Sequence, residues 1–497
     1  MPHTFEVEKK SAVLSVSAHD PLGMAGIAMD QRALTSLGVH CASCMTANTA
    51  QNQTDFFHLN PVALNVFVSQ LDALYQQDIF NVIKIGLISD VKQAHALVEH
   101  PIFSNKLIVL DPVLGASSDK RQYSETRLTA LKLLMSKVDV ITPNVDEAQV
   151  LVSLLDETFT KTNNRLILAQ VLNQHTGCAV LLKGGHSEHK AQDVYCDNER
   201  YFYLEHAEYQ HGLNRGTGCA IASLIAGAIA LGHSKADAVV IAKMQMDAGW
   251  QTPFSIDNKT GSLGFVIFSQ SDPSQFSNSQ LPQVYVSDKQ KELNFLPCDN
   301  ELGLYPIVDR AKWLTRLLPL GVKVIQLRVK DLSGDELKIE IEKCIKLANQ
   351  YDCKLYINDY WQLAIECGAY GVHLGQEDID DADLSAIAKA GLRLGLSSHC
   401  FYEVARAKTI KPSYIAFGPV YATQTKDMPW VPQGETGLAY WHAQLTDFPL
   451  VAIGGIHNER FEKVKAQGVD SIAMISAITQ AENPEQTCRD FIERWNV

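Results

Sequence analysis

Short apolar runs rich in β-branched residues recur along both halves of the chain, each followed by a stretch with helical spacing. In the C-terminal half they fall at residues 302–308, 322–327, 354–357, 370–374, 392–396, 414–417, 450–453 and 471–475. Eight βα repeats in about 195 residues predict a (β/α)8 TIM barrel, whose site lies at the C-terminal ends of its strands. In the N-terminal half, runs at 12–16, 82–85, 107–110, 138–141 and 179–182 alternate with helical stretches and predict an open, doubly wound α/β sheet. Asp197-Asn198, between runs at 193–196 and 200–204, reads as the turn of an antiparallel addition at one sheet edge.

Residues 268–282 are polar, rich in Ser and Gln, and have no period that could form a core. The expected organisation is therefore a first domain over 1–268, a linker over 269–300 and a barrel over 301–497. A chain of 497 residues exceeds one ordinary core, and 46% hydrophobic against 20% charged residues suits two globular units. With 43 Lys and Arg against 56 Asp and Glu, the net charge of −13 is the opposite of a nucleic-acid footprint.

No membrane partner is expected either, because residues 1–10 are polar and the small-residue run over 219–231 is shorter than a membrane span. The eleven cysteines lack the spacing of a disulfide framework, which points to a reducing, cytoplasmic setting. Cys41-Ala42-Ser43-Cys44 has redox or half-zinc spacing but no companion motif, and reads as two small strand residues.

Polar residues gather where the barrel register puts strand ends. Arg328 and Lys330 follow the second strand, Asn358 and Asp359 the third, Gln376 to Asp378 the fourth and Ser397 the fifth. Thr423, Thr425 and Lys426 follow the sixth, with Gly454-Gly455 and Ile475-Ser476 closing the ring. Backbone amides and a hydroxyl after the last two strands suit a phosphate. Arg328, Lys330 and Lys426 suit a polyanion, and Asp359 with Asp378 could hold Mg2+ against a diphosphate.

These motifs, Gln326-Leu327-Arg328-Val329-Lys330, Asn358-Asp359, Gly375-Gln376-Glu377-Asp378, Thr423-Gln424-Thr425-Lys426 and Val451 to Ile456, resemble thiamine-phosphate synthase over the whole domain. The resemblance implies a pyrimidine diphosphate held by Gln326, Leu327, Arg328, Val329, Lys330, Asn358, Ser397 and Lys426, with Mg2+ on Asp359 and Asp378. It assigns the thiazole phosphate to Thr423, Gln424, Thr425, Gly455, Ile475 and Ser476. No Ser/His/Asp or Cys/His set is evident on this face, as expected if charge and positioning carry the reaction.

In the first half, Arg215-Gly216-Thr217-Gly218-Cys219 directly precedes the small-residue run, which turns three successive amides out of a helix N-terminus as an anion hole. Lys183-Gly184-Gly185-His186, Asp111-Pro112 and Thr142-Pro143-Asn144 with Glu147 end other strands on the same sheet edge, where open α/β sheets bind ligands. Together with Thr49-Ala50-Gln51-Asn52 and Lys84-Ile85-Gly86, the set resembles the ribokinase-like superfamily and, within it, hydroxymethylpyrimidine and phosphomethylpyrimidine kinases.

That resemblance implies ATP as co-substrate, with Lys183 facing its phosphates. It puts Asp111, Asn144, Glu147 and Thr217 in the nucleotide and Mg2+ region, Gln51 and Asp30 on the pyrimidine, and Gly218 and Cys219 at the transferred group. Cys219 stands where most sugar kinases of the superfamily carry Asp, and its two roles, proton acceptor or wall of the site, stay open here. The sequence departs from the family at Leu22-Gly23-Met24-Ala25-Gly26, where Ser-Gly-Gly-Ala-Gly is usual, and at Arg215, where His is typical.

The two halves would then act in order, the first making the diphosphate that the second consumes, with small-molecule substrates as partners and a homo-oligomer left open. A non-catalytic sensor would lack charged groups that are retained here. A pyridoxal-type kinase fused to a thiazole isomerase fits neither Gln51 nor the set Gln326, Arg328, Asn358-Asp359 and Lys426.

Overall fold

The computed structural model describes residues 9–52, 55–114, 124–184, 192–206, 215–256, 261–265, 281–287, 293–298, 302–422 and 432–497. They fall into two compact units, one up to residue 265 with 281–287, the other from 293 onward. Among the described residues, no helix is long and apolar enough to cross a membrane.

The first unit is built on β1 (Ala12–His19), β2 (His40–Gln51), β3 (Phe56–Pro61), β4 (Val82–Ile85), β5 (Leu107–Leu110), β6 (Val140–Ile141), β7 (Ala179–Leu182), β8 (Gln192–Cys196) and β9 (Tyr201–Glu205). A two-stranded ribbon, β10 (Phe254–Ser255) and β11 (Gly261–Ser262), and a short β12 (Gln283–Tyr285) follow. The main sheet runs β12-β9-β8-β7-β6-β5-β4-β1-β2-β3. Its centre, β7 to β2, is parallel, while β3, β8, β9 and β12 are antiparallel additions at the edges.

Strand alternation explains why both faces are covered. Leu14 and Val16 of β1, Ile83 and Ile85 of β4 and Ile108 and Leu110 of β5 join one buried cluster with Phe67, Leu97, Leu134, Leu151 and Leu168 from five helices. On the opposite face lie helices Gly26–Ser36, Thr217–Ala230 and Lys235–Gln251, the last two almost wholly buried. The run over 219–231 is thus apolar on every side because it sits between the sheet and two other helices, not because it meets lipid.

Two findings modify the expected organisation. The hairpin of β2 and β3 was not expected as such; β3 is a largely exposed edge strand without an apolar alternation to betray it. The stretch read as linker is partly structured: β12 pairs with β9, and Leu296 to Cys298 close the base of the barrel. There the Leu296 carbonyl accepts from Ser413 Oγ at 2.6 Å, the Pro297 carbonyl from Arg393 at 3.1 Å, and Cys298 is buried. Residues 268–280 lie outside the described residues.

The second unit is a closed parallel barrel of β13 (Gly303–Val308), β14 (Val324–Leu327), β15 (Lys354–Asn358), β16 (Gly371–Leu374), β17 (Arg393–Ser398), β18 (Tyr414–Phe417), β19 (Leu450–Ala452) and β20 (Ser471–Met474). β20 returns to pair with β13. Every expected strand is present, shifted by at most two residues at its start.

The interior is packed with tyrosines where branched aliphatics commonly dominate. Tyr305, Tyr356 and Tyr414 are fully buried and meet edge-on or tilted, with centroids 5.1 to 6.1 Å apart. Room for them comes from neighbouring strands: a Cβ on Gly395 would overlap the Tyr414 ring, and one on Gly371 the Tyr356 ring. Gly395→Ala is expected to cost about 1–3 kcal/mol through overpacking, lowering the calorimetric transition of the barrel while leaving that of the first unit in place. An unmoved barrel transition would show that the ring has space to shift.

Candidate functional site

At the C-terminal edge of the first sheet, helix Thr217–Ala230 starts from Gly216, held at φ 76° with no side-chain cap. Only glycine suits that position: the conformation is left-handed, and a Cβ would overlap the Met24 carbonyl oxygen. The amides of Thr217, Gly218 and Cys219 therefore open the helix without a capping side chain, the arrangement an anion needs.

Facing this terminus, Lys183 Nζ lies 3.2 Å from Asp111 and 4.0 Å from Glu147. A Cβ on Gly218 would come to 3.3 Å from Lys183 Nζ and 3.5 Å from Asp111 Oδ2, so cation, carboxylate and helix start share one small space. Burial alone would lower the Lys183 pKa, but Asp111 and then Glu147 raise it, and the ammonium stays charged. Burial, and then Asp111, raise Glu147 against the pull of Lys183. Glu147 and Asn144 also form a capping box, each backbone N–H meeting the other's side chain at 2.8 Å, so helix Val145–Leu155 fixes both.

Asp30 requires a correction. Expected to bind substrate, it is fully buried, and its carboxylate accepts from Lys84 Nζ at 2.8 and 2.9 Å, Ser15 Oγ at 2.6 Å and Ser223 Oγ at 2.8 Å. These partners use its acceptor capacity and leave it anchoring the helix behind the anion hole. Lys84, equally buried, is raised by Asp30 and further by Cys219 and Asp111, against the lowering effect of burial. Cys219 itself is pushed up to about 12, first by burial and then by Asp111 and Asp30, despite Lys84. Its thiol is thus protonated at neutral pH.

Gln51 ends β2, where its Oε1 accepts from Arg215 Nη2 at 2.9 Å, while Arg215 Nη1 donates to the Asn52 carbonyl. The two departures from the family pattern both touch the anion hole, Met24 through its carbonyl and Arg215 as the residue before Gly216. Gly185 and His186 lie outside the described residues.

In the barrel, alternation splits the run from Gln326 to Lys330. Leu327 and Val329 are buried and can offer a ligand only their backbone, whereas Lys330 reaches the mouth and bonds Asp359 at 2.6 Å. Asn358, buried, ends β15; Asp359 follows at φ 66° with its amide on the His373 carbonyl. Asp378 caps the turn through the Gly375 amide at 3.1 Å, and burial followed by Asp359 raises its pKa. Among the described residues, the two carboxylates stand beside a single ammonium, that of Lys330. Their hard oxygens fit Mg2+.

Opposite, Gly454 and Gly455 both adopt positive φ, 101° and 63°, and a Cβ on either would collide with the loop after β18 at Pro419 to Ala422. Arg460 holds the Gly455 carbonyl at 2.7 Å and covers the Tyr421 ring at 4.3 Å. Ile475 and Ser476 lead from β20 into a short helix. Thr423, Gln424, Thr425 and Lys426 lie outside the described residues.

Sequence reasoning missed a buried polar chain that crosses the barrel. Tyr305 and Tyr414 hydroxyls meet at 2.9 Å, the Tyr414 hydroxyl meets His373 Nδ1 at 2.8 Å, and His373 Nε2 meets Ser397 Oγ at 2.8 Å. Gln376 Nε2 donates to the Ser397 carbonyl at 2.6 Å. The available signal was one histidine within the apolar strand Gly371–Leu374. Burial pushes His373 down to about 4 from its ordinary 6.5, Asp359 opposing and His399 and Arg328 adding to the shift. Between those values the unfolded chain binds the extra proton, so barrel stability falls as pH drops through the window, by on the order of 3 kcal/mol in full. His373→Asn is expected to flatten that slope in urea unfolding between pH 7 and 4; an unchanged slope would assign it to other groups.

Comparison with known proteins matches each of the two units. A family model described as thiamine monophosphate synthase fits residues 304–478, and one described as phosphomethylpyrimidine kinase fits residues 20–264. Thiamine-phosphate synthase of Serratia proteamaculans (strain 568) is 56% identical over 182 residues, 37% of this chain and 86% of that protein. The Pectobacterium atrosepticum enzyme of the same name is 55% identical over 200 residues, 40% of this chain and 94% of its own. A crystal structure of phosphomethylpyrimidine kinase from Clostridium difficile 630 is 26% identical, covering 47% of this chain and 97% of that one at a TM-score of 0.41. The chain belongs, through its barrel, to the thiamine-phosphate synthase family, and carries a phosphomethylpyrimidine kinase domain in its first unit.

Proposed function

We propose that the chain is a bifunctional transferase of thiamine biosynthesis. Its first unit transfers phosphoryl groups from ATP to 4-amino-5-hydroxymethyl-2-methylpyrimidine and then to its monophosphate. Its barrel joins the resulting diphosphate to 4-methyl-5-(2-phosphooxyethyl)thiazole, giving thiamine phosphate and diphosphate. The observation that carries the reading is the pairing of Asp359 and Asp378 beside Lys330, across the barrel from the tight Gly454-Gly455 turn.

In the barrel reaction the bond from the pyrimidine methylene carbon to diphosphate oxygen breaks, and a bond from that carbon to the thiazole nitrogen forms. No proton is transferred. Mg2+, held by Asp359 and Asp378, would supply charge neutralisation for the departing diphosphate. Arg328 and Lys330 meet the same charge, and Gly455 and Ser476 offer an amide and a hydroxyl to the thiazole's phosphate. His373, kept neutral by burial, fixes Ser397 through a hydrogen bond without adding charge.

In the first unit Lys183 and the amides from Thr217 to Cys219 hold the transferred phosphoryl group, while Asp111 and Glu147 offer carboxylates that fit Mg2+. With its pKa near 12, Cys219 suits a wall of the site better than a free proton acceptor. A loose phosphoryl-transfer transition state makes little demand on a strong base, because the alcohol loses its proton late.

Two variants separate the activities. Asp359→Ala should cut thiamine phosphate formation at least about 100-fold while the pyrimidine diphosphate accumulates from the alcohol and ATP. Gly218→Asp puts a carboxylate against Asp111 and the phosphate position. It should abolish synthesis from the alcohol and spare synthesis from supplied diphosphate, read by chromatography of both products. Equal loss in both assays would refute separate sites, and no thiamine phosphate from the wild-type chain would overturn the function.

A further inference from the structure

Gln51 carries one amide whose oxygen and nitrogen can trade places by a half-turn about the side chain, at almost no cost in isolation. Its neighbour removes that freedom. Arginine has five donors and no acceptor, so the Gln51 atom 2.9 Å from Arg215 Nη2 must be the oxygen. The guanidinium is itself fixed. Its Nη1 donates to the Asn52 carbonyl, the next residue of the same hairpin. The Arg215 backbone pairs with β11, where the buried Ser262 hydroxyl donates to the Arg215 carbonyl at 3.0 Å. One planar fork thus grips two successive hairpin residues from a point adjoining the anion hole.

A locked amide presents a fixed order of groups: Oε1, with one lone pair left, and beside it the two donors of Nε2. A 4-aminopyrimidine edge has the complementary order, an amino donor next to a ring-nitrogen acceptor. The 4-oxo counterpart has the reverse, a carbonyl acceptor next to a ring N–H. The ring cannot turn over to compensate, since its hydroxymethyl group must face the phosphoryl donor. A free glutamine would rotate and read either edge.

We infer that Arg215 is a specificity-determining residue that locks the Gln51 amide in one orientation, so that the first unit takes 4-amino- over 4-oxo-pyrimidines. The inference rests on the reading that this unit phosphorylates a hydroxymethylpyrimidine. It also gives a physical meaning to the replacement of the usual histidine, because an imidazole can donate or accept at a given nitrogen while a guanidinium only donates.

The test uses the full chain and two substrates, 4-amino-5-hydroxymethyl-2-methylpyrimidine and its 4-oxo counterpart, with ADP release followed for each. In Arg215→Gln a shorter amide that can donate or accept replaces the donor-only fork, so Gln51 regains both orientations. The ratio of kcat/KM for the amino over the oxo substrate should fall about tenfold, the change lying in KM for the pyrimidines, with KM for ATP unaltered. Arg215→Lys, again donor-only, should recover much of the ratio. A role confined to folding would predict equal losses on both substrates and no such recovery.

An unmoved calorimetric transition of the first unit reports that each variant is folded where the substitution lies, since synthesis from supplied pyrimidine diphosphate reads only the barrel. An unchanged ratio in Arg215→Gln would overturn the inference and leave the kinase reading standing. A wild-type chain inactive on both pyrimidines would overturn the kinase reading and this inference together.

Discussion

The first unit is organised around one carboxylate kept out of water. Asp30 belongs to helix Gly26–Ser36, and its partners come from β1, β4 and helix Thr217–Ala230, so four elements converge on two oxygen atoms. An unpaired charge at that depth would cost several kcal/mol, and removing Lys84 would leave Asp30 in that state. The directional need of Asp30 therefore sets how the helix bearing Gly216 to Cys219 sits against the sheet. Dispersion alone would tolerate sliding of so uniform a helix, whose buried face is mostly Ala, Ile and Leu.

The barrel meets a related demand with neutral groups. Its polar chain runs through Tyr305, Tyr414, His373 and Ser397, and each phenol is held far above its usual range by burial. Net charge is thereby excluded from the packed interior and confined to the mouth, where Arg328, Lys330, Asp359 and Asp378 stand. Large rings need small neighbours, and Gly371 and Gly395 are the counterparts of Tyr356 and Tyr414 on adjacent strands. The same hydroxyls that fill space also orient Ser397, so packing and positioning are one set of contacts.

Much of this was legible in the sequence because parallel strands buried on both faces read as short apolar runs, and all eight barrel strands were found that way. Motif residues at strand ends, such as Asp111, Lys183, Asp359 and Gly455, needed only the register to be placed. Pairings across long separations were not readable: Ser223 reaches Asp30 over 193 positions and Arg215 reaches Gln51 over 164. The resemblance alone therefore assigns Asp30 to the substrate, whereas the structure has it as an internal anchor. Exposed β3 and the short β12 were missed for the opposite reason, since edge strands bury too little to leave an apolar pattern.

The protonation states at the two sites follow from what each reaction must move. Joining a carbon cation to a neutral thiazole nitrogen transfers no proton, so a barrel whose buried histidine stays neutral loses nothing by it. Phosphoryl transfer does release a proton, yet the nearest thiol is held protonated by the same burial and the same Asp111 and Asp30 that shape the anion hole. A group poised as a base would need those carboxylates further away, and they cannot retreat without loosening Lys183 and the helix start. The geometry thus favours stabilising the phosphoryl group's charge over activating the alcohol, which is the larger lever when the transition state is loose.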